Sequence, residues 1–342
     1  MQHGGDIYRN TIEYDFSVSV NPFAYEMDEV SKRDIIQSIT HYPDMECEKL
    51  RKALALRYGL IEKCIICANG ASELFMAVCR ALKPKNALLL APTFSGYEYA
   101  LKDCDIKKFY TKASADFVLE DTIIDAITDE IDILFLGSVE NPTGHRLKNE
   151  LLKDILDKAI SCKTTVIVDD SFYELSYGCV RENIQDYINE YSNLIIVNSF
   201  TKTYGYPGIR IGFAFSSNQA CLKLIQTELP EWNVSGGAQH FGQIVSADKS
   251  HLIKSHKAIM TEKLWLENEL SDLGLKYIKA DANFILLYCE TNLYKELLKR
   301  KILIKAFDTK DALADYYRIA VRSREENKIL IDNLRKILLH RL

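Results

Sequence analysis

The sequence runs to 342 residues, with 43 basic and 48 acidic side chains and a formal charge of −5. With 47% hydrophobic and 27% charged residues it has the composition of an ordinary globular chain, which excludes a disordered chain, a collagen-like repeat and a disulfide-stapled miniprotein. A pI near 5.9 with interspersed charges argues against the concentrated basic face that nucleic acid requires. No uncharged apolar run reaches the roughly 18–20 residues of a membrane span.

The first ten residues are polar, so no signal peptide is expected. Nine scattered cysteines suit reduced thiols in a cytoplasm. Cys64 and Cys67 form a Cys-x-x-Cys pair, but no second pair stands at zinc spacing and the segment is apolar, so both are expected in the core. Without a His-x-x-x-His pair either, no metal site is expected.

In chain order, residues 1–45 read as an N-terminal arm that contributes to a smaller domain, residues 46–235 as a large domain and residues 236–342 as a small C-terminal one. In the large domain, the apolar runs Cys64–Ala68, Ala87–Ala91, Ile106–Tyr110, Ile131–Gly137, Thr165–Asp169, Asn193–Asn198 and Ile209–Phe215 predict seven strands. Amphipathic stretches between them, Ala71–Leu82, Gly96–Asp103, Glu120–Ile127, Lys148–Ser161 and Asn183–Tyr191, predict helices. Continuous apolar strands alternating with helices give an α/β class, with a mainly parallel sheet covered on both faces. Beyond Phe215, Asn218–Glu228 and Gly237–Leu273 predict helices. Four further strands (Lys276–Ile278, Phe284–Tyr288, Ile302–Lys305, Tyr316–Val321) and the helices Leu293–Arg300 and Glu325–Leu339 predict a smaller α+β unit.

Ligands of open parallel sheets bind at the carboxyl ends of the strands. The segments at those ends are Asn69-Gly70-Ala71-Ser72-Glu73, Pro92-Thr93-Phe94, Asn141-Pro142-Thr143-Gly144, Asp169-Asp170 and Ser199-Phe200-Thr201-Lys202. Neither a Gly-x-Gly-x-x-Gly nor a Gly-x-x-x-x-Gly-Lys-Ser/Thr signature is present, so a dinucleotide fold and a P-loop are both unsupported, and the Gly-x-Ser-x-Gly elbow is missing as well. Lys202 could supply an amine for a Schiff base, provided that it is partly desolvated and near other cations. Taken singly, it is a loop lysine, Asp169 a turn residue, Gly70-Ala71-Ser72 one more helix start and Phe94 a core aromatic. Taken together, an amine, a carboxylate, an aromatic face and a phosphate cradle built from Gly70-Ala71-Ser72, Ser199, Thr201 and Arg210 describe a site for a flat phosphorylated aldehyde, which pyridoxal phosphate fits.

The ordered set Asn69-Gly70, Pro92-Thr93-Phe94, Asn141-Pro142-Thr143-Gly144, Asp169-Asp170, Ser199-x-Thr201-Lys202 and Arg210-x-Gly212 resembles the class I/II aminotransferases of fold type I, over essentially the whole chain. The resemblance implies a pyridoxal 5′-phosphate enzyme. In it Lys202 is the Schiff-base lysine, Asp169 pairs with the pyridine nitrogen, Asn141 bonds the ring hydroxyl and Phe94 stacks on the ring. Gly70, Ala71, Ser72, Ser199, Thr201 and Arg210 hold the phosphate. Arg318 binds the substrate carboxylate, and a homodimer is implied in which Tyr42 reaches the neighbour's phosphate.

Two branches of that family resemble this sequence most, the histidinol-phosphate aminotransferases and the threonine-phosphate decarboxylases of cobalamin synthesis. His3-Gly4-Gly5-Asp6, Asp15-Phe16-Ser17 leading to Asn21-Pro22, Tyr206-Pro207-Gly208, Phe172 and Arg318 to Ser323 are similar to the decarboxylase pattern. That likeness adds His3, Asn21, Lys305 and Arg322 as substrate contacts and favours a small phosphorylated amino acid as substrate. Glu140 departs from the usual Asn-Asn-Pro-Thr-Gly, Asp170-Ser171 from Glu-Ala, and Lys305 from an arginine. Four readings follow: a decarboxylase of a phosphorylated amino acid, an aminotransferase, a non-catalytic cofactor-binding regulator, and a structural α/β protein. A regulator of this fold is expected to carry a DNA-binding domain ahead of the sheet, where this sequence has few residues. The ordered motifs argue against a purely structural role.

Overall fold

A computed structural model describes residues 4–177, 184–307 and 312–339. The strands are, in chain order, β1 (Tyr14–Asp15), β2 (Ile65–Ala68), β3 (Asn86–Ala91), β4 (Asp105–Tyr110), β5 (Ile133–Gly137), β6 (Thr165–Asp169), β7 (Leu194–Ser199), β8 (Gly212–Phe215), β9 (Lys276–Ile278), β10 (Phe284–Tyr288), β11 (Ile302–Leu303), β12 (Lys305–Ala306) and β13 (Tyr316–Ala320). Seven of them make one sheet in the order β2-β8-β7-β6-β5-β3-β4. All its pairings are parallel except those of β8, which runs antiparallel to both β2 and β7.

The central strands are apolar at every position because both faces of the sheet are covered. Leu88, Leu90, Leu134, Leu136, Val166, Val168, Phe213 and Phe215 enter one core, with residues of the helices Glu48–Tyr58, Asn149–Cys162 and Gly236–Ala247. Their neighbours Ala87, Leu89, Ile133, Phe135, Ile167 and Ala214 enter the other, with the helices Ala71–Leu82, Ser95–Ala100 and Gln219–Thr227. Alternation of period two thus feeds two cores instead of one core and solvent.

The C-terminal residues build a four-stranded antiparallel sheet in the order β12-β13-β10-β9. Its third core includes Leu266 and Leu270 of the helix Ser250–Asp272, and Leu330, Ile331 and Leu334 of the helix Arg324–Leu339. The N-terminal arm joins this core: β1 runs parallel to β11, and Phe16 is buried there.

Three predicted elements differ. The helix predicted over Gly237–Leu273 is two helices, Gly236–Ala247 and Ser250–Asp272. Asp248 turns the chain between them with extended backbone and accepts from the Ser250 amide at 2.8 Å. Ala238, Phe241 and Val245 of the first of these helices pack in the large-sheet core. The strand predicted over Ile302–Lys305 divides at Ile304, because β11 pairs with β1 while β12 pairs with β13. The strand predicted from Ile209 starts at Gly212, since Pro207–Ile209 is a 3-10 turn and Arg210 has φ +58°. Cys64 and Cys67 are both buried.

Candidate active site

The register sets the C-terminal ends of β5, β6 and β7 side by side: Gly137 pairs with Asp169, and Asp169 with Val197. The residues that follow these strands therefore converge, as the sequence pattern predicts.

Lys202 lies in the one-turn helix Phe200–Thr203 directly after β7. Its backbone is tied down by the arm. The Asn21 amide N–H donates to Lys202 O at 2.9 Å, and Asn21 Nδ2 to Thr203 O at 2.8 Å. Lys202 Nζ sits 4.4 Å from the centre of the Phe172 ring. Burial pushes this amine down to about 8, and the cations of Arg318 and Arg210 push the same way against the attraction of Asp169.

Asp169, the last residue of β6, accepts from Tyr97 Oη at 2.9 Å and from the Ser171 amide at 3.0 Å. Tyr97 is buried, stacked on Phe135 and met edge-on by Phe94 at 5.4 Å. Its phenol is pushed well up by burial, then by Asp169 and Glu140, so it stays a donor.

The start of the helix Ala71–Leu82 has the chemistry to hold an anion. Gly70 precedes it with φ +82°, and no side chain caps the helix, which leaves its first amides free to serve an anion. A Cβ on Gly70 would lie 2.4 Å from Arg210 Nη2, and one on Gly212 would lie 2.6 Å from Ala71 N. Both glycines thus allow the guanidinium of Arg210 and the strand β8 to close on the helix end. Arg210 donates to Thr201 Oγ1 at 3.3 Å, and Ser199 is buried beside Ser171 at 3.5 Å between hydroxyls. Ala71 is half-buried and Ser72 exposed at the same helix start.

Arg318, in β13, is buried over the Phe284 ring, donating to Asn141 Oδ1 at 2.5 Å and to Ser17 O at 2.8 Å, while its Nε has no protein partner. Burial brings it down to about 10. Lys305 stands opposite Arg318 in the antiparallel register, and burial plus that neighbour brings it down to about 8.

Not every predicted contact joins this group. Asn21 spends its amide on Thr203 O and on the Phe23 N–H, so it supports the lysine turn from behind. Arg322, just ahead of the last helix, pairs through Nη2 with Glu326 in its first turn at 2.9 Å. Tyr42 is 83% exposed against Trp232 at 5.0 Å. His3 lies outside the described residues. The sequence pattern does not mark Tyr97, and it marks Thr93 and Glu140 only as a motif residue and a departure from the motif, without the hydrogen bond between them.

These residues fit pyridoxal phosphate. The space kept open by Gly70, the uncapped helix, Ser199, Thr201 and Arg210 match its phosphate, and Lys202 and Asp169 match its aldehyde and ring nitrogen. Among the described residues no cluster of metal ligands occurs, and no helix is long and apolar enough to cross a membrane.

The family model for aminotransferase class I and II matches residues 13–334. A threonine-phosphate decarboxylase from Salmonella typhimurium is 29% identical over 334 residues, covering 95% of this chain and 91% of that protein. A histidinol-phosphate aminotransferase from Clostridium kluyveri is 31% identical, covering 96% and 94%. The crystal structure of the histidinol-phosphate aminotransferase from Clostridium acetobutylicum superposes with a TM-score of 0.85 over 96% of this chain and 99% of that one, at 24% identity.

Proposed function

Because the chain belongs to the aminotransferase class I and II family and is a pyridoxal phosphate-dependent enzyme, we propose that it decarboxylates a phosphorylated amino acid, in the manner of a threonine-phosphate decarboxylase of cobalamin synthesis. The observation that carries this is the pair of cations, buried Arg318 and half-buried Lys305, opposite each other across β12 and β13. Two such charges suit a substrate with two anionic groups, a carboxylate and a phosphate.

The cofactor supplies an electron sink for the charge left on the substrate's α-carbon when a bond there breaks. Arg318 holds and orients the substrate carboxylate, with Asn141 fixing one edge of its guanidinium. Asp169, kept in place by Tyr97, holds the proton on the ring nitrogen. Lys202, an amine that sheds its proton near pH 8, carries the cofactor and returns a proton at the α-carbon. Gly70, Ala71, Ser72, Ser199, Thr201 and Arg210 hold the phosphate; Phe94 packs on the ring. Tyr42 reaches the partner's phosphate in a homodimer, which its exposure supports. We place the enzyme in the cytoplasm, in keeping with cysteines that are unpaired among the described residues.

A second reading, a histidinol-phosphate-type aminotransferase, is favoured by the 31% identity quoted above. Assays with threonine phosphate, serine phosphate and histidinol phosphate separate the two: CO2 and an amino-alcohol phosphate support the first, a keto product the second. A Lys202→Ala enzyme is expected to lose the absorbance band near the visible edge; a wild type without such a band sinks both readings.

A further inference from the structure

Glu140 has no part in the scheme above, yet its side chain is buried at the centre of the site. It folds back over the end of β5. Oε2 accepts from the Gly137 amide at 3.0 Å, and Oε1 accepts from Thr93 Oγ1 at 2.6 Å and from the Asn141 amide at 3.2 Å. Gly137 permits this, since a Cβ there would stand 3.1 Å from Oε2. The backbone of Glu140 also closes the base of the Asn141–Gly144 turn, donating to His145 O at 2.8 Å and accepting from the Gly144 amide at 2.7 Å. The turn then meets the C-terminal domain, where the Asp281 amide donates to Gly144 O at 2.9 Å and Arg318 binds Asn141.

We propose that Glu140 is a positioning residue for this site: its carboxylate staples the backbone N–H groups of Gly137 and Asn141 and the hydroxyl of Thr93 together, and thereby sets the position of the residue whose side-chain Oδ1 Arg318 grips. Three donors converge on two oxygens, an arrangement that a carboxylate satisfies and a carboxamide, with one end a donor, does not. Asparagine, the residue the family pattern has here, is one methylene shorter and brings no charge. Burial raises Glu140 from its ordinary 4.5 to about 7, with Asp169 adding to the rise and the three hydrogen bonds opposing it. The titratable groups facing it are Asp169, from the end of β6, and Tyr97, from the helix after β3, whose hydroxyl donates to Asp169. The nearby cations bear on other groups, Lys202 on Asp169 and Arg318 on Asn141. A second carboxylate beside Asp169 therefore ionises across neutral pH. As it does, the clamp tightens and the negative potential around the bound cofactor grows.

The inference rests on the pyridoxal phosphate reading, so its test includes the apoenzyme. Its ligand probe is pyridoxal phosphate itself. Wild type and Glu140→Gln are compared from pH 5.5 to 8.5 by apoenzyme melting, by the cofactor dissociation constant and by the pH midpoint of the visible band. The folded-state pKa is raised, so this group's contribution to stability is full below about 4.5 and is lost as pH rises through 7. The melting temperature of Glu140→Gln relative to wild type is accordingly expected to climb from pH 5.5 to about 7 and to level off above it, whereas a purely structural role gives a constant difference. In the holoenzyme, removing the charge is expected to lower the band's midpoint by about half a pH unit or more and to weaken cofactor binding about tenfold at pH 8. Thr93→Val keeps the carboxylate but removes its strongest donor, and is expected to move the titration upward. A Glu140→Gln enzyme with the wild-type midpoint, affinity and flat melting difference overturns the proposal. A wild type that never develops a visible band overturns the cofactor reading instead.

Discussion

Lys202 shows how a site residue is tuned by neighbours far away in sequence. Its amine is lowered to about 8 first by burial and then by the cations Arg318 and Arg210. Arg318→Gln removes one repelling charge, so the amine is expected to hold its proton to higher pH. The rate of cofactor uptake by the apoenzyme, followed by absorbance, then rises with pH through a higher midpoint than in wild type. An unchanged midpoint in that variant would show that Arg318 takes no part in lowering the amine. In the proposed scheme the same residue also binds the substrate carboxylate, so Arg318→Gln is expected to raise KM roughly a hundredfold, on the order of 3 kcal/mol for a lost charge-assisted contact.

At the scale of elements, the turn bearing Lys202 is held from behind by a buried charge. Arg57, at the end of the helix Glu48–Tyr58, pairs with Glu174 at 3.0 Å and donates to Val245 O at 3.3 Å. Its guanidinium lies over Phe200 and Tyr204, 5.6 and 5.8 Å from their ring centres, on either side of Lys202. One ion pair thus ties together the helix before the sheet, the turn after β6, the turn after β7 and the helix Gly236–Ala247. Removing one partner strands the other charge out of water, so Glu174→Ala is expected to cost about 3–5 kcal/mol in urea unfolding. The double change Arg57→Met with Glu174→Leu is expected to recover much of that. A double variant as unstable as Glu174→Ala alone would show that the pair itself, and not the stranded charge, holds the turn.

At the scale of the whole molecule, several exposed apolar side chains among the described residues lie in the N-terminal arm and the helix after it: Val30, Ile36, Ile39, Tyr42, Met45 and Leu56. The helix Glu29–Ser38 buries none of its residues, although it abuts Gly236, where a Cβ would meet Ser38 O at 2.5 Å. Exposed apolar side chains in such number call for a cover, and the proposed homodimer supplies one. Sedimentation is expected to give about twice the 39.1 kDa of one chain. Ile36→Glu is expected to release monomers that bind the cofactor more weakly, because Tyr42 then has no neighbour to reach. A monomeric wild type with full cofactor affinity would refute that arrangement.

The alternation of short apolar runs with amphipathic ones was enough to read the parallel sheet. The loops holding Gly70, Asn141, Asp169 and Lys202 were legible because a parallel sheet sends its strand ends to one edge, and Arg210 joins them just ahead of the antiparallel β8. Those positions need a particular residue type for local reasons, such as the φ of +82° at Gly70, so they leave a mark in the sequence. The grip of Arg318 on Asn141, 177 residues apart, leaves no such mark. Neither does the bond from Tyr97 to Asp169, nor the division of Ile302–Lys305 between two pairings. Each depends on which strands lie side by side, and several partners compete for that place until the sheet order is set. The sequence by itself therefore determined which groups the site has. Tertiary structure decided their protonation and mutual grip, because burial and the spacing of charges exist only once the cores have closed.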